Sequence, residues 1–162
     1  MKKEYFTYNP SQTKKLGENL VKKILPPKNK AFIVGLEGDL GGGKTTFLQG
    51  FAKGLGIKEK ILSPTFVILK KFKITKRKNK KQKTKNKNAK TQKFKNFYHV
   101  DCYRITEPKE ILNLGFKEII SNPENIVAIE WVERIKKIIP KGTVWIKFKF
   151  LDKNTRKIKI MC

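Results

Sequence analysis

Residues 38–45 read GDLGGGKT, in which Gly38, Gly43, Lys44 and Thr45 meet the spacing G-x-x-x-x-G-K-[ST] of the Walker A loop. Gly41, Gly42 and Gly43 have no Cβ, so the backbone can curl around phosphate groups with its N–H donors turned inward. Lys44 would set its ammonium against the β- and γ-phosphates, and Thr45 would offer a hydroxyl to Mg²⁺. Thr46 begins a helix whose positive end completes the cradle.

Such a loop needs a carboxylate for the metal, and two acids stand at the ends of apolar runs: Asp101 after FYHV and Glu130 after IVAI. The second run is the cleaner buried-strand pattern, so Glu130 is the first choice for Mg²⁺, directly or through water. Asp101 would then position or deprotonate an attacking water, or share the metal. A strand-end carboxylate facing solvent is the plainer alternative for either acid taken alone.

The elements that must hold these groups follow from periodicity. Ala31 to Leu36 is a short apolar run suited to a buried strand, and Thr46 to Leu55 has helical spacing, giving the order strand, glycine loop, helix. Upstream, Leu16, Leu20 and Ile24 form a helical stripe over Ser11–Leu25, with Pro26-Pro27 predicted to end it. Ser63–Phe72, Phe97–Ile105 and Ile126–Ile129 read as strands, and Glu107–Leu114 as a helix. Val144–Phe150 and Arg156–Met161 alternate across DKNT and predict a C-terminal β-hairpin. The fold class expected is α/β: a single P-loop NTPase domain over 1–162, with a central mixed sheet flanked by helices.

Charge is extreme, with 39 Lys and Arg against 13 Asp and Glu for a net +26. From Lys70 to Asn96 there are 14 cations and no acid. An insertion at about 73–96 is therefore expected to be solvated and disordered, because its middle cannot bury enough apolar surface to offset ordering entropy. Two readings of it stand open: a loop with incidental charge, or an arm contacting RNA phosphates. No run reaches the length of a membrane span and the first ten residues lack the apolar core of a signal peptide, so a cytoplasmic protein without membrane contact is expected. Cys102 and Cys162, far apart and with His99 as the one histidine, suggest free thiols rather than a disulfide or zinc site.

Four motifs in order, GDLGGGKTTF (38–47), SPTF (63–66), YHVDCYR (98–104) and IEWVER (129–134), resemble the TsaE family of small bacterial ATPases in tRNA threonylcarbamoyladenosine synthesis. TKKLGENL (13–20) is similar to that family's N-terminal helix, whereas family members have shorter connections where this chain has Lys73 to Lys95. The resemblance implies ATP and Mg²⁺ as cofactors, TsaB and TsaD as partners, and tRNA contact either indirect or through the insertion. Hydrolysis, weak without the partners, would drive or reset the TsaB–TsaD pair. It also implies Gly41 to Thr46 as the phosphate loop, Thr45 and Glu130 at the metal, Asp101 as an essential acid, and Thr13 near the adenine.

Other motif residues keep two readings. Thr65 is either a γ-phosphate switch or part of a tight strand entry. His99, alternating with Asp101 and Tyr103, is either at the site or structural. Trp131 packs on the nucleotide site, meets a partner, or fills the core. Arg104 contacts phosphate, or caps a helix or makes a surface ion pair. Two rival functions also remain: a small nucleotide or nucleoside kinase, against which four dispersed Arg residues argue, and a basic RNA-binding module with a nucleotide-sensing loop.

Overall fold

The computed structural model describes residues 2–24, 27, 29–64, 67–75 and 94–161. The elements run β1 (Lys2–Thr7), α1 (Pro10–Val21), β2 (Phe32–Gly38), α2 (Lys44–Gly54), β3 (Leu69–Lys73), β4 (Asn96–Asp101), α3 (Pro108–Leu112) and α4 (Phe116–Ser121). They continue with β5 (Asn125–Glu130), a 3-10 segment (Val132–Ile138), β6 (Val144–Phe150) and β7 (Arg156–Met161). All seven strands join one mixed sheet in the order β1-β7-β6-β2-β5-β4-β3. The expected α/β class and C-terminal hairpin are both present.

Strands β6, β2, β5 and β4 run parallel, so their carboxyl ends open on one edge of the sheet, where ligands bind in such folds. Alternation divides the core. Val34, Leu36, Phe97, Ile126, Ala128, Ile146, Phe148 and Ile158 pack under α1 and α2. Ile33, Val100, Val127 and Ile129 face the other way, against Ile111 of α3, Phe116 of α4 and Ile135. The central strands are apolar on both faces because helices cover both.

Helices α1 and α2 approach closely through glycine. A Cβ at Gly17 would lie 2.2 Å from the Phe47 carbonyl oxygen, and one at Gly50 would lie 1.8 Å from the Lys14 carbonyl oxygen. Gly50→Ala must therefore push the helices apart. The overpacking costs more than the ~1 kcal/mol of helix propensity that alanine gains. A net loss of about 2 kcal/mol, or a Tm lower by about 4–8 °C, is expected in a thermal melt; an unchanged Tm would show that the interface can shift freely.

Several boundaries differ from those expected. Helix α1 stops at Val21 with Lys22 as its cap, before the proline pair. Its most buried line is Thr13, Gly17 and Val21, because the close approach to α2 uses the glycine face; Leu16 and Leu20 pack only partly. Among the described residues of Ser63–Phe72, only Leu69 onward is strand: Val67 N–H and Ile68 N–H both bond to the Pro64 carbonyl, and Ile68 has φ 61°. Strand β4 ends at Asp101, since Ile105 N–H turns back to the Cys102 carbonyl. Tyr103 therefore lies off the strand, while His99 and Asp101 share a face. Strand β1, helix α4 and the 3-10 segment were not foreseen. No helix among the described residues is long and apolar enough to cross a membrane. The region 76–93 and Cys162 lie outside the described residues. Cys102 is a free thiol, and burial pushes its pKa up to about 12.

Candidate functional site

Three strand ends bring the chemistry together. Gly38 closes β2 and leads into the loop, Glu130 closes β5, and Asp101 closes β4. In register, Glu130 stands beside Leu36 on one side and Asp101 on the other. Both acids are buried, and both share the α2 face of the sheet with His99.

The loop is tightly wound. Gly42 N–H donates to the Asp39 carbonyl at 3.0 Å, and Gly43, the N-cap of α2, has φ 96°, a left-handed conformation that favours glycine. No side chain caps α2, so the first-turn donors at Lys44, Thr45 and Thr46 are left for an anion. Thr13 and Arg156 flank Gly43: an added Cβ there would meet Thr13 Cγ2 at 3.7 Å and Arg156 Cγ at 3.8 Å. Thr13 is itself held by a 2.8 Å contact between its hydroxyl and that of Thr7.

Lys44 is only 5% exposed. Its Nζ donates to the Gly38 and Asp39 carbonyls at 2.6 and 2.8 Å, and lies 3.8 Å from the centroid of the Trp131 ring. Burial lowers its pKa, opposed by the negative charges of Glu130, Glu133, Asp101 and Asp39. Trp131 holds φ 59°, ψ 39°, a conformation costing an L-residue about 1–2 kcal/mol. A desolvated cation on an indole returns about as much. Tyr103 rests on the same indole, ring centroids 5.1 Å apart.

Thr45 Oγ1 lies 3.0 and 2.9 Å from the two carboxylate oxygens of Glu130. His99 Nε2 is 2.8 Å from Oε1 of the same carboxylate, so His99 belongs to the site through Glu130. Asp101 accepts from the Tyr103 N–H at 2.9 Å and from the Ser63 hydroxyl. Thus Gly41, Gly42, Gly43, Lys44, Thr45, Thr46, Thr13, His99, Asp101, Glu130 and Trp131 gather in one place. Thr65 lies outside the described residues.

Three contributors escaped the sequence reading. Arg156 Nε donates to the Gly41 carbonyl at 3.0 Å from β7, 115 residues away, and no local signal marks it. Ser63 reaches Asp101 from the segment before β3. Glu133 has its pKa raised by burial and keeps one buried carboxylate oxygen without a hydrogen bond; the acid two positions past IEW was the available hint.

Residues 7–158 match the model of a family described as threonylcarbamoyl adenosine biosynthesis protein TsaE. The chain belongs to the TsaE family. Its relatives named tRNA threonylcarbamoyladenosine biosynthesis protein TsaE include that of Rickettsia prowazekii, 37% identical over 145 residues, which span 89% of this chain and 87% of the relative. The TsaE of Bacillus subtilis is 32% identical over 152 residues, 94% of this chain and 80% of the relative. The crystal structure of Bacillus subtilis YdiB superposes with a TM-score of 0.68 at 26% identity, covering 99% of this chain and 84% of the other.

Proposed function

We propose that this TsaE-family chain serves tRNA threonylcarbamoyladenosine biosynthesis as an ATPase, with Mg²⁺ as its metal and TsaB and TsaD as its partners in the cytoplasm. The observation that carries the reading is the Thr45 hydroxyl on the Glu130 carboxylate, one residue from the buried Lys44 ammonium. That pairing of P-loop hydroxyl and strand-end acid is the donor set a nucleotide-bound Mg²⁺ requires. Among the described residues no three His, Cys, Asp or Glu side chains cluster as a metal centre, which suits an ion that takes the rest of its shell from phosphate and water.

ATP would supply the transferable γ-phosphoryl group, and Mg²⁺ the neutralisation of its oxygens. The chain's own groups then divide the work. The Gly41–Thr46 backbone donors and the Lys44 ammonium hold phosphate, with Lys44 exchanging the Gly38 and Asp39 carbonyls for phosphate oxygens. Thr45 and Glu130 hold the metal, while His99 fixes the Glu130 carboxylate in orientation. Asp101, aimed by Ser63 and the Tyr103 N–H, orients water and accepts its proton. Thr13 and Arg156 border the loop at Gly43, with Thr13 the residue nearest the adenine in this reading.

Phosphate release measured with and without TsaB and TsaD tests this. Hydrolysis that rises on adding the pair is expected. Transfer of labelled phosphate to a nucleoside or nucleotide would instead establish a kinase.

A further inference from the structure

On the side of the sheet away from α1 and α2, α3, α4 and the 3-10 segment pack over β2, β4 and β5. Strands β6, β7 and β1 present their outward residues beyond them. Pairing register sets those residues in rows across the sheet. One row reads Glu4, Lys159, Lys147, Glu37, and the next reads Phe6, Lys157, Lys149. Lys2 stands opposite Met161, which stands opposite Trp145. Lys147 is 50% exposed, Lys157 and Lys159 are each 36% exposed, and Lys149 is exposed.

Lys147 thus lies directly opposite Lys159, and Lys149 directly opposite Lys157. Like charges in that relation destabilise a sheet. Edge protection accounts for the lysines of β3 and β1, which are edge strands, but β6 and β7 are interior. Glu4 bridges Lys157 and Lys159 at 3.1 and 3.2 Å, and Glu37 meets Lys147 at 2.9 Å. Among the described residues Lys149 has no acid partner. Solubility would be served better by alternating signs.

We infer that this open face of β1, β7 and β6 binds the phosphate backbone of RNA. Lysine supplies point charges that neutralise phosphate without reading sequence. Phe6, 51% exposed with Lys157 Nζ 5.8 Å from its ring centroid, offers a base a surface for stacking at the end of the lysine row. A folded acidic protein fits less well, because stable protein interfaces place apolar anchors at the centre, whereas here the centre is charged and Phe6, Trp145 and Met161 lie at its margins. The inference stands apart from ATP hydrolysis.

The test is binding of a fluorescently labelled single-stranded RNA oligonucleotide to the full chain over a range of salt concentrations. Lys149→Gln/Lys157→Gln is compared with Lys70→Gln/Lys71→Gln, which removes the same charge from β3. The first pair is expected to weaken binding about tenfold, and to make the log–log salt slope shallower by roughly 1.4, for two single-strand phosphate contacts at ~0.7 each. The second pair should change binding less than twofold. Both variants should bind an ATP analogue as the unmodified chain does, so a failed nucleotide assignment would be seen separately. Equal losses in the two pairs would overturn the inference in favour of bulk charge. Displacement of the RNA by polyglutamate as effectively as by unlabelled RNA would overturn it in favour of an acidic protein partner. Absence of RNA binding by the unmodified chain would also overturn it.

Discussion

Replacing Lys44 with alanine is expected to lower phosphate release by about 10²- to 10³-fold, the scale for losing one preorganised charge donor at a transition state. The next cation at the loop, Arg156, is engaged by the Gly41, Asp152 and Thr155 carbonyls and is not placed to substitute. Stability should not follow activity. Burial holds the Lys44 pKa below its ordinary value, so at neutral pH the folded state bears a cost for keeping the ammonium charged. The unfolded chain binds that proton more readily, and the cost falls as pH rises through the depressed value. Alanine removes the cost along with the two carbonyl contacts and the contact with the Trp131 indole. A Tm close to that of the unmodified protein, with activity lost, is the expected pair of readings; undiminished hydrolysis by the variant in the assembled complex would defeat the phosphate-loop assignment.

The two acids should fail in different ways. Glu130→Ala leaves the Thr45 hydroxyl and the buried His99 without their shared acceptor, and an orphaned buried polar group costs about 1–3 kcal/mol. With the metal's carboxylate gone, Mg²⁺ should no longer strengthen binding of a non-hydrolysable ATP analogue, so affinities with and without the ion converge. Asp101→Asn keeps the shape and can still accept from the Tyr103 N–H. Stability and Mg²⁺-dependent binding should persist while hydrolysis falls about 10²- to 10⁴-fold, the range of a lost general base. Calorimetry of both variants checks this, and the opposite pattern would require their roles to be exchanged.

How much was legible depended on whether the deciding contact was local. Strands β2 and β5 are buried on both faces, so IVGL and IVAI stand out as apolar runs. The loop was legible because phosphate chemistry restricts residue type at fixed spacing. Strand β1, KKEYFT, was not: only Thr7 is fully buried, and an edge strand carries little inward pattern. Cys102 and Ile105 are buried yet lie in a turn, so apolar character extended β4 beyond its end. Val67 is apolar but largely exposed, and its apolar character likewise extended β3 upstream into the turn before it. Trp131 over Lys44 depends on a left-handed backbone, and Arg156 on Gly41 depends on how the sheet is assembled; neither is encoded in a neighbouring residue.

The pairing of β1 with β7 sets Lys2 beside Met161. On the ribosome, β1 emerges before the other six strands of this sheet, yet its neighbour in the sheet is β7, the last of the seven to appear. The segment KKEYFT must therefore wait, unpaired, through translation of everything between, and the loop entropy of that junction falls on the final step of assembly. Thr7 sits on this strand and holds Thr13, and Arg156 sits on its partner and holds Gly41. The walls of the candidate site are consequently completed only when β1 and β7 meet, so a truncated or stalled chain can carry the whole GDLGGGKT loop and still lack the pocket around it.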